Sequence, residues 1–261
     1  MNAIDKIMRL DVAKWITHQI EDLPDAGKFR ASSAIRSLDW ASKNYASGMP
    51  IPATYFALHA TEEAVAAFVS CAKKRGYGND AKINLRDHKA KATVSLLAQK
   101  TCDFVSSFDP AIALNPDLNQ IVARFTVDGQ VHYQPASTNL FHFTQGKDGD
   151  RKEDFFDELV EDFGNIETLK KTVIKGQEAR NEILYATDKG YPTGFIHPEE
   201  SLRRECLLTL GLIWAALDIV RSERGSIALI VQALRTATLV IESMSSKNHC
   251  KRLEGPVSNR P

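Results

Sequence analysis

Apolar side chains recur at helical spacing along most of this chain, and the spacing changes character once. Ile4, Ile7, Met8, Val12, Trp15, Ile16 and Ile20 mark an amphipathic helix over residues 4–23, ended by Pro24 and Gly27. Helical periodicity continues over residues 29–45, stopping before Gly48-Met49-Pro50, and over residues 52–75, closed by Gly76 and Gly78. A further helix is predicted over residues 85–107, before Asp109-Pro110. The period then drops to two. Residues 122–134 read VARFTVDGQVHYQ, with apolar positions alternating around Asp128-Gly129, a strong signal for a tight hairpin. Residues 141–143 predict a third short strand, and 146–150 a polar loop. Helices resume over 152–163 and 166–187, and after the loop DKGYPTGFIHP over 199–221 and 226–246, with Gly225 between the last two.

The elements sum to an all-α bundle with a small β-hairpin insertion near residues 120–145. Residues 1–27 form an N-terminal amphipathic arm, 28–247 the bundle, and 248–261 a polar tail with Gly255-Pro256 that is expected to be disordered. In the helix over 199–221, Leu207, Leu208, Leu210, Leu212, Ile213, Trp214 and Leu217 surround most of the circumference, which predicts burial on more than one side. The last two helices are expected to cap the bundle or to extend a dimer interface.

Composition narrows this picture only a little. At 261 residues the chain has room for one large domain, and Lys plus Arg equals Asp plus Glu at 33 each. That balance excludes a strongly basic nucleic-acid binder on average, while leaving room for a local basic cleft. The cysteines at 71, 102, 206 and 250 are scattered without a CxxC pair, which fits reduced thiols and argues against a zinc site or a disulfide framework. Neither a metal nor a cofactor is expected. The start of the chain alternates charge with apolar residues, unlike a signal peptide. The longest apolar stretch near the end, residues 206–216, is too short for a bilayer span. The expectation is therefore a soluble cytoplasmic protein without a membrane partner.

Three constellations could carry chemistry. The first is Glu62-Glu63, set in the apolar run ATYFALHATEEAVAAFVSCA. In a helix Glu62 shares a row with Tyr55, Leu58, Ala66 and Val69, and Glu63 with Phe56, Ala60, Ala67 and Cys71, so both acids need partners. One reading makes one acid a surface charge and the other a structural ion-pair partner. The other has them hold basic residues across a helix interface, or tune a catalytic group. The second constellation is Asp87-His88-Lys89-Ala90-Lys91, with His88 on the face of Leu85 and Ala92. Asp87 and Lys91 have the i,i+4 spacing of a surface ion pair. His88 is either a satisfied core residue or, with Lys91 and the acid doublet, part of a Glu-His-Lys cluster between two helices. The third is Arg180-Asn181-Glu182-Ile183-Leu184-Tyr185. Arg180 shares a row with Leu169, Val173, Gly176 and Leu184, so it is expected to face inward and meet Glu62 or Glu63. Asn181 and Tyr185 are i,i+4 neighbours. Gly176 is expected to admit the close approach of another backbone. The run either fixes helix register through an Arg-Glu pair or binds phosphate, with Asn181 and Tyr185 adding hydrogen bonds.

The runs ALHATEEAVAAF, RDHKAK and ARNEILYATD, in this order and each on a helix, resemble the AbiV abortive-infection family, part of the wider HEPN group. The resemblance covers residues 31–187. It implies a HEPN-like helical bundle that forms a homodimer and serves in antiviral defence against phage. Many HEPN proteins are metal-independent ribonucleases whose motif is an Arg followed, after a short spacer, by a His, paired with its copy across the dimer. Arg180 and Asn181 match the start of that motif. At the His position this chain has Tyr185, and its next His is His197.

The departure has a chemical consequence. Attack by a ribose 2′-hydroxyl needs a base near neutral pH, which histidine supplies and tyrosine, with a reference pKa of about 10, does not. Arg180 could still stabilise charge on phosphorus, and His88 could stand in as the base. The expected function is an abortive-infection effector that binds RNA, and with a base in place cleaves it, shutting down translation through Arg180, Asn181, Tyr185 and His88. Glu62, Glu63 and Lys91 support the site. The alternative is a non-catalytic HEPN-like module that binds a phage or host protein.

Overall fold

The computed structural model describes residues 1–77, 82–106, 111–145, 150–184, 197–223 and 227–245. Among these the chain is mostly helical, with a small three-stranded antiparallel sheet and a two-stranded ribbon. The order is α1 (Ala3–Met8), α2 (Asp11–Gln19), α3 (Asp25–Ala46), α4 (Pro50–Lys74), α5 (His88–Ser106), β1 (Ala111–Asn115), β2 (Gln120–Val127), β3 (Gln130–Pro135), β4 (Thr144–Gln145), β5 (Asp150–Arg151), α6 (Phe156–Asp162), α7 (Ile166–Leu184), α8 (Pro198–Arg221) and α9 (Ala228–Ser245).

Helix α4 is the axis of the bundle. It packs most extensively on α3 and α8, and also meets α5 and α7. Its buried positions are dominated by alanine: Ala53, Ala57, Ala60, Ala64 and Ala67 are wholly buried, as are Ala31, Ala34 and Ala41 on α3. Side chains this small let helices approach closely. Gly27, expected to end the first helix, instead lies inside α3, which begins at Asp25 after Pro24. A Cβ at Gly27 would overlap Cys71 Sγ on α4, so the glycine keeps this end of the seam closed. Helix α8 packs against α1, α2, α3, α4 and α5, which explains its many apolar positions. Leu207 is the exception to the predicted encirclement, at 48% exposed.

The N-terminal segment is two helices rather than one. Leu10 is extended (φ −64°, ψ 142°), which separates α1 from α2. Ile4, Ala13, Ile16, Ile20 and Leu23 join the same buried cluster as the bundle. Asn2 caps α1 and also donates to Ser42 Oγ at 2.9 Å, tying the start of the chain to α3.

The predicted hairpin is β2 and β3, paired antiparallel from Val127↔Gln130 outward. Asp128 (φ 51°) and Gly129 (φ 75°) both take the left-handed conformation that a two-residue turn of this hand requires. Along β2 the side chains of Ile121, Ala123 and Phe125 are buried while their neighbours are not, the period-two signature of a half-covered sheet. The sequence reading lacked β1, which adds to the other edge of β2. Residues 141–143 are not a strand. A 3-10 turn (Thr138–Leu140) precedes them, and the short strand β4 follows at Thr144–Gln145. Asp218 of α8 holds that turn by accepting from the Thr138 N–H at 2.8 Å and from Ser137 Oγ at 3.2 Å.

By length and apolarity α9, rather than residues 206–216, is the one helix among the described residues that would also suit a bilayer span. Its buried face carries Gln232 and Thr236, both wholly buried. Gln232 donates to the Phe143 and Lys152 carbonyls at 2.8 Å each, and Thr236 accepts from the Phe155 N–H at 3.0 Å. The polar tail from residue 246 onward lies outside the described residues.

Candidate functional site

The acid doublet and the DHKAK run meet between α4 and α5. Helix α5 starts at His88, three residues later than its periodicity suggests, because Asp87 caps it: the Asp87 carboxylate accepts the Lys89 N–H at 2.8 Å and its carbonyl accepts the Lys91 N–H at 3.1 Å. That start puts His88 and Lys91 one turn apart, both directed at α4. His88 Nδ1 lies 3.1 Å from Glu62 Oε2 and 3.3 Å from Oε1. Lys91 Nζ stands 3.8 Å from Glu62 Oε2 and 4.0 Å from Glu63 Oε1. The surface Asp87–Lys91 ion pair suggested by spacing is therefore absent among the described contacts. Asp87 serves as a cap, and the Lys91 side chain, 9% exposed, turns inward.

The cluster opens into a groove of about 300 Å³ between α4, α5, α7 and α8. Leu58, Thr61 and Glu62 line it from α4; His88, Lys91, Leu96 and Gln99 from α5; Val173, Gly176 and Gln177 from α7; and Arg204, Glu205 and Leu208 from α8. His88, 40% exposed at its side chain, is accessible from solvent, whereas Glu62 is 17% exposed. Gly176 does not receive another backbone: a Cβ built there meets nothing within 4 Å. Its role is corrected accordingly, to a bare stretch of groove wall.

Of the third constellation less can be placed. The Arg180 side chain and the whole of Tyr185 lie outside the described residues, so the expected pairing of Arg180 with Glu62 or Glu63 does too. Position 180 follows the groove-lining Gly176 by one turn of α7, and Asn181 is exposed.

A second polar network sits across the groove, and the sequence reading missed it. Glu205 is 4% exposed. Its Oε2 accepts the Thr61 hydroxyl at 2.8 Å, and its Oε1 accepts Arg204 Nη2 at 2.8 Å and Nε at 3.1 Å. Thr61 also shares a hydrogen bond with Thr209 at 3.2 Å. The signal was available: in a helix Glu205 shares a row with Leu202, Leu208 and Leu212, so it needs a partner much as the acid doublet on α4 does. Among the described residues, no three His, Cys, Asp or Glu side chains gather as a metal site would require.

The arrangement offers a carboxylate-held imidazole at the mouth of a groove, an ammonium behind it, and a guanidinium at the rim. A carboxylate at Nδ1 fixes ring orientation and favours the tautomer that carries its proton on Nδ1. No protein-family model matches the chain, and no curated protein or solved structure matches it.

Proposed function

We propose that this chain is an abortive-infection effector of the AbiV kind, on a HEPN-like bundle, that works as a homodimer and engages RNA in the α4–α5–α7–α8 groove, to the detriment of translation in an infected bacterium. The observation that carries the proposal is the 3.1 Å approach of His88 Nδ1 to Glu62 beside the inward-turned Lys91. Two of the runs that resemble AbiV supply the two sides of that cluster.

The chemistry open to it is transesterification within the RNA strand. The His88 imidazole takes the proton of a ribose 2′-hydroxyl, the 2′-oxygen bonds to the adjacent phosphorus, and the bond to the 5′-oxygen breaks. A protonated group returns a proton to that oxygen. The products are a 2′,3′-cyclic phosphate and a 5′-hydroxyl, and no water or other co-reactant is consumed. In this reading Arg180 and Asn181, one turn beyond the groove wall of α7, steady the phosphate, while Tyr185 stands where the motif histidine would be. The test is incubation of the purified protein with total RNA and with tRNA in the presence of EDTA. Cyclic-phosphate ends are expected, with His88→Ala reducing the rate at least 100-fold, in the range for loss of a general base. Intact RNA at concentrations that arrest growth would eliminate cleavage.

A second reading is binding without cleavage, to RNA or to a phage or host protein. One observation favours it: each described cation in the groove faces a carboxylate, Lys91 between Glu62 and Glu63 and Arg204 on Glu205. Loss of phage protection by Arg180→Ala, with no cutting by the wild type, would select this reading.

A further inference from the structure

Lys91 carries an ammonium that faces the groove without a hydrogen bond among the described residues. Its side chain is 9% exposed and lines the groove, and among the described residues its approaches to acceptors are 3.8 Å to Glu62 and 4.0 Å to Glu63, both beyond hydrogen-bond reach. An ammonium carries three donors, and at 3.8 and 4.0 Å neither carboxylate engages one of them in a hydrogen bond. The group is therefore set to donate to something that enters the groove.

The groove limits what that can be. Its volume of about 300 Å³ is at the small end for ligand sites, so it holds a fragment rather than a polymer. Leu58, Leu96, Val173 and Leu208 give it apolar walls. Among the described lining residues, the two carboxylates, Glu62 and Glu205, are matched by two cations, Lys91 and Arg204. The described walls therefore offer a polyanion such as a nucleoside triphosphate no surplus of positive charge. A flat, uncharged group with acceptors on its edge fits the walls, the size and the open donor together.

We propose that the groove receives one unpaired nucleobase of an RNA strand. A ring carbonyl or ring nitrogen accepts from Lys91, and an N–H on the same edge donates toward Glu62. The ring faces lie against the leucine and valine walls, and the ribose and phosphodiester are left at the mouth beside His88. The bare wall at Gly176, where a Cβ meets nothing within 4 Å, is the space the ring needs. This inference rests on the RNA reading above and specifies its ligand: single-stranded, one base deep, selected by an edge rather than by charge.

The experiment is a fluorescence titration of the full chain with a short unstructured oligoribonucleotide, the same sequence as a duplex, and each of the four nucleoside monophosphates. The wild type is expected to bind the single strand at least tenfold more tightly than the duplex, and to bind at least one monophosphate. Lys91→Met removes the donor at nearly constant volume. Gly176→Leu fills the groove from the opposite wall without touching the charged cluster, and it keeps the test decisive if Lys91→Met fails to fold. Both variants should weaken single-strand binding at least tenfold, with thermal unfolding of Gly176→Leu unchanged or raised. Unaltered single-strand affinity in the folded variants would overturn the nucleobase pocket and leave RNA engagement standing. Failure of the wild type to bind RNA in any form would bring down both.

Discussion

Asp87 decides where His88 and Lys91 point. With its carboxylate on the Lys89 N–H, the helix begins at His88 and both functional side chains face α4. The same Asp87 read by spacing alone looked like a surface partner for Lys91, because an i,i+4 pattern does not reveal that a cap has first claim on the acid. The acid doublet was legible for a different reason: two carboxylates in an apolar run demand partners, and the structure supplies His88 and Lys91. Glu205 obeys the same logic but is harder to see, because Arg203 and Arg204 precede it and make it look like part of a charged helix start. Two predictions belong here. Glu62 meets both His88 and Lys91, while Glu63 reaches only Lys91 at 4.0 Å among the described contacts. Glu62→Ala should therefore cost about 3 kcal/mol, as for a broken buried pair, and Glu63→Ala about 1 kcal/mol, measured by urea unfolding. Asp87→Ala should cost about 1 kcal/mol through the lost cap. It should also weaken the RNA binding proposed for the groove more than that figure suggests, because the first turn of α5 carries both His88 and Lys91.

At the scale of elements, the alanine seam between α3 and α4 governs. Leucine or methionine in place of Ala60 finds no space to occupy, and overpacking a seam of this kind costs about 1–3 kcal/mol. Gly27→Ala drives a methyl into Cys71 Sγ and should lower the melting temperature, whereas Gly176→Ala, facing open space in a helix interior, should gain about 0.5–1 kcal/mol. Calorimetry on the two glycine variants checks opposite signs for the same substitution. Sequence periodicity found the long helices and the Asp128-Gly129 hairpin because each is set by local chemistry. It read α1 and α2 as one helix because both present apolar residues to the same core, and the break at Leu10 lies in backbone dihedrals that hydropathy does not encode. Strand β1 was missed because Ala111–Asn115 is short and gains its identity only by pairing with β2.

At the scale of the molecule, burial reaches the chemistry of the thiols. Burial pushes Cys71 up to about 11 and Cys206 up to about 12, from an ordinary 9.0. Between those limits the folded chain holds protons that the unfolded chain releases. The contribution is thus whole below pH 9 and is lost as pH climbs toward 12. Alkaline titration of the unfolding free energy should show that decline. Under native conditions at pH 8 a maleimide should label Cys102, which is exposed, while Cys71 and Cys206 should react only after denaturation. Mass mapping of the labelled peptides decides it.

Helix α8 is made after α1 to α7, yet it lies against α1, α2, α3, α4 and α5. A growing chain that has produced only the first four helices cannot close around α4, and Glu205, Arg204 and Leu208 have not yet arrived to form their side of the groove. Assembly must wait for residues 198–221, so the cavity beside His88 comes into being only once the ribosome has passed α8, and any product cut short before that helix would lack the Arg204, Glu205 and Leu208 side of the groove.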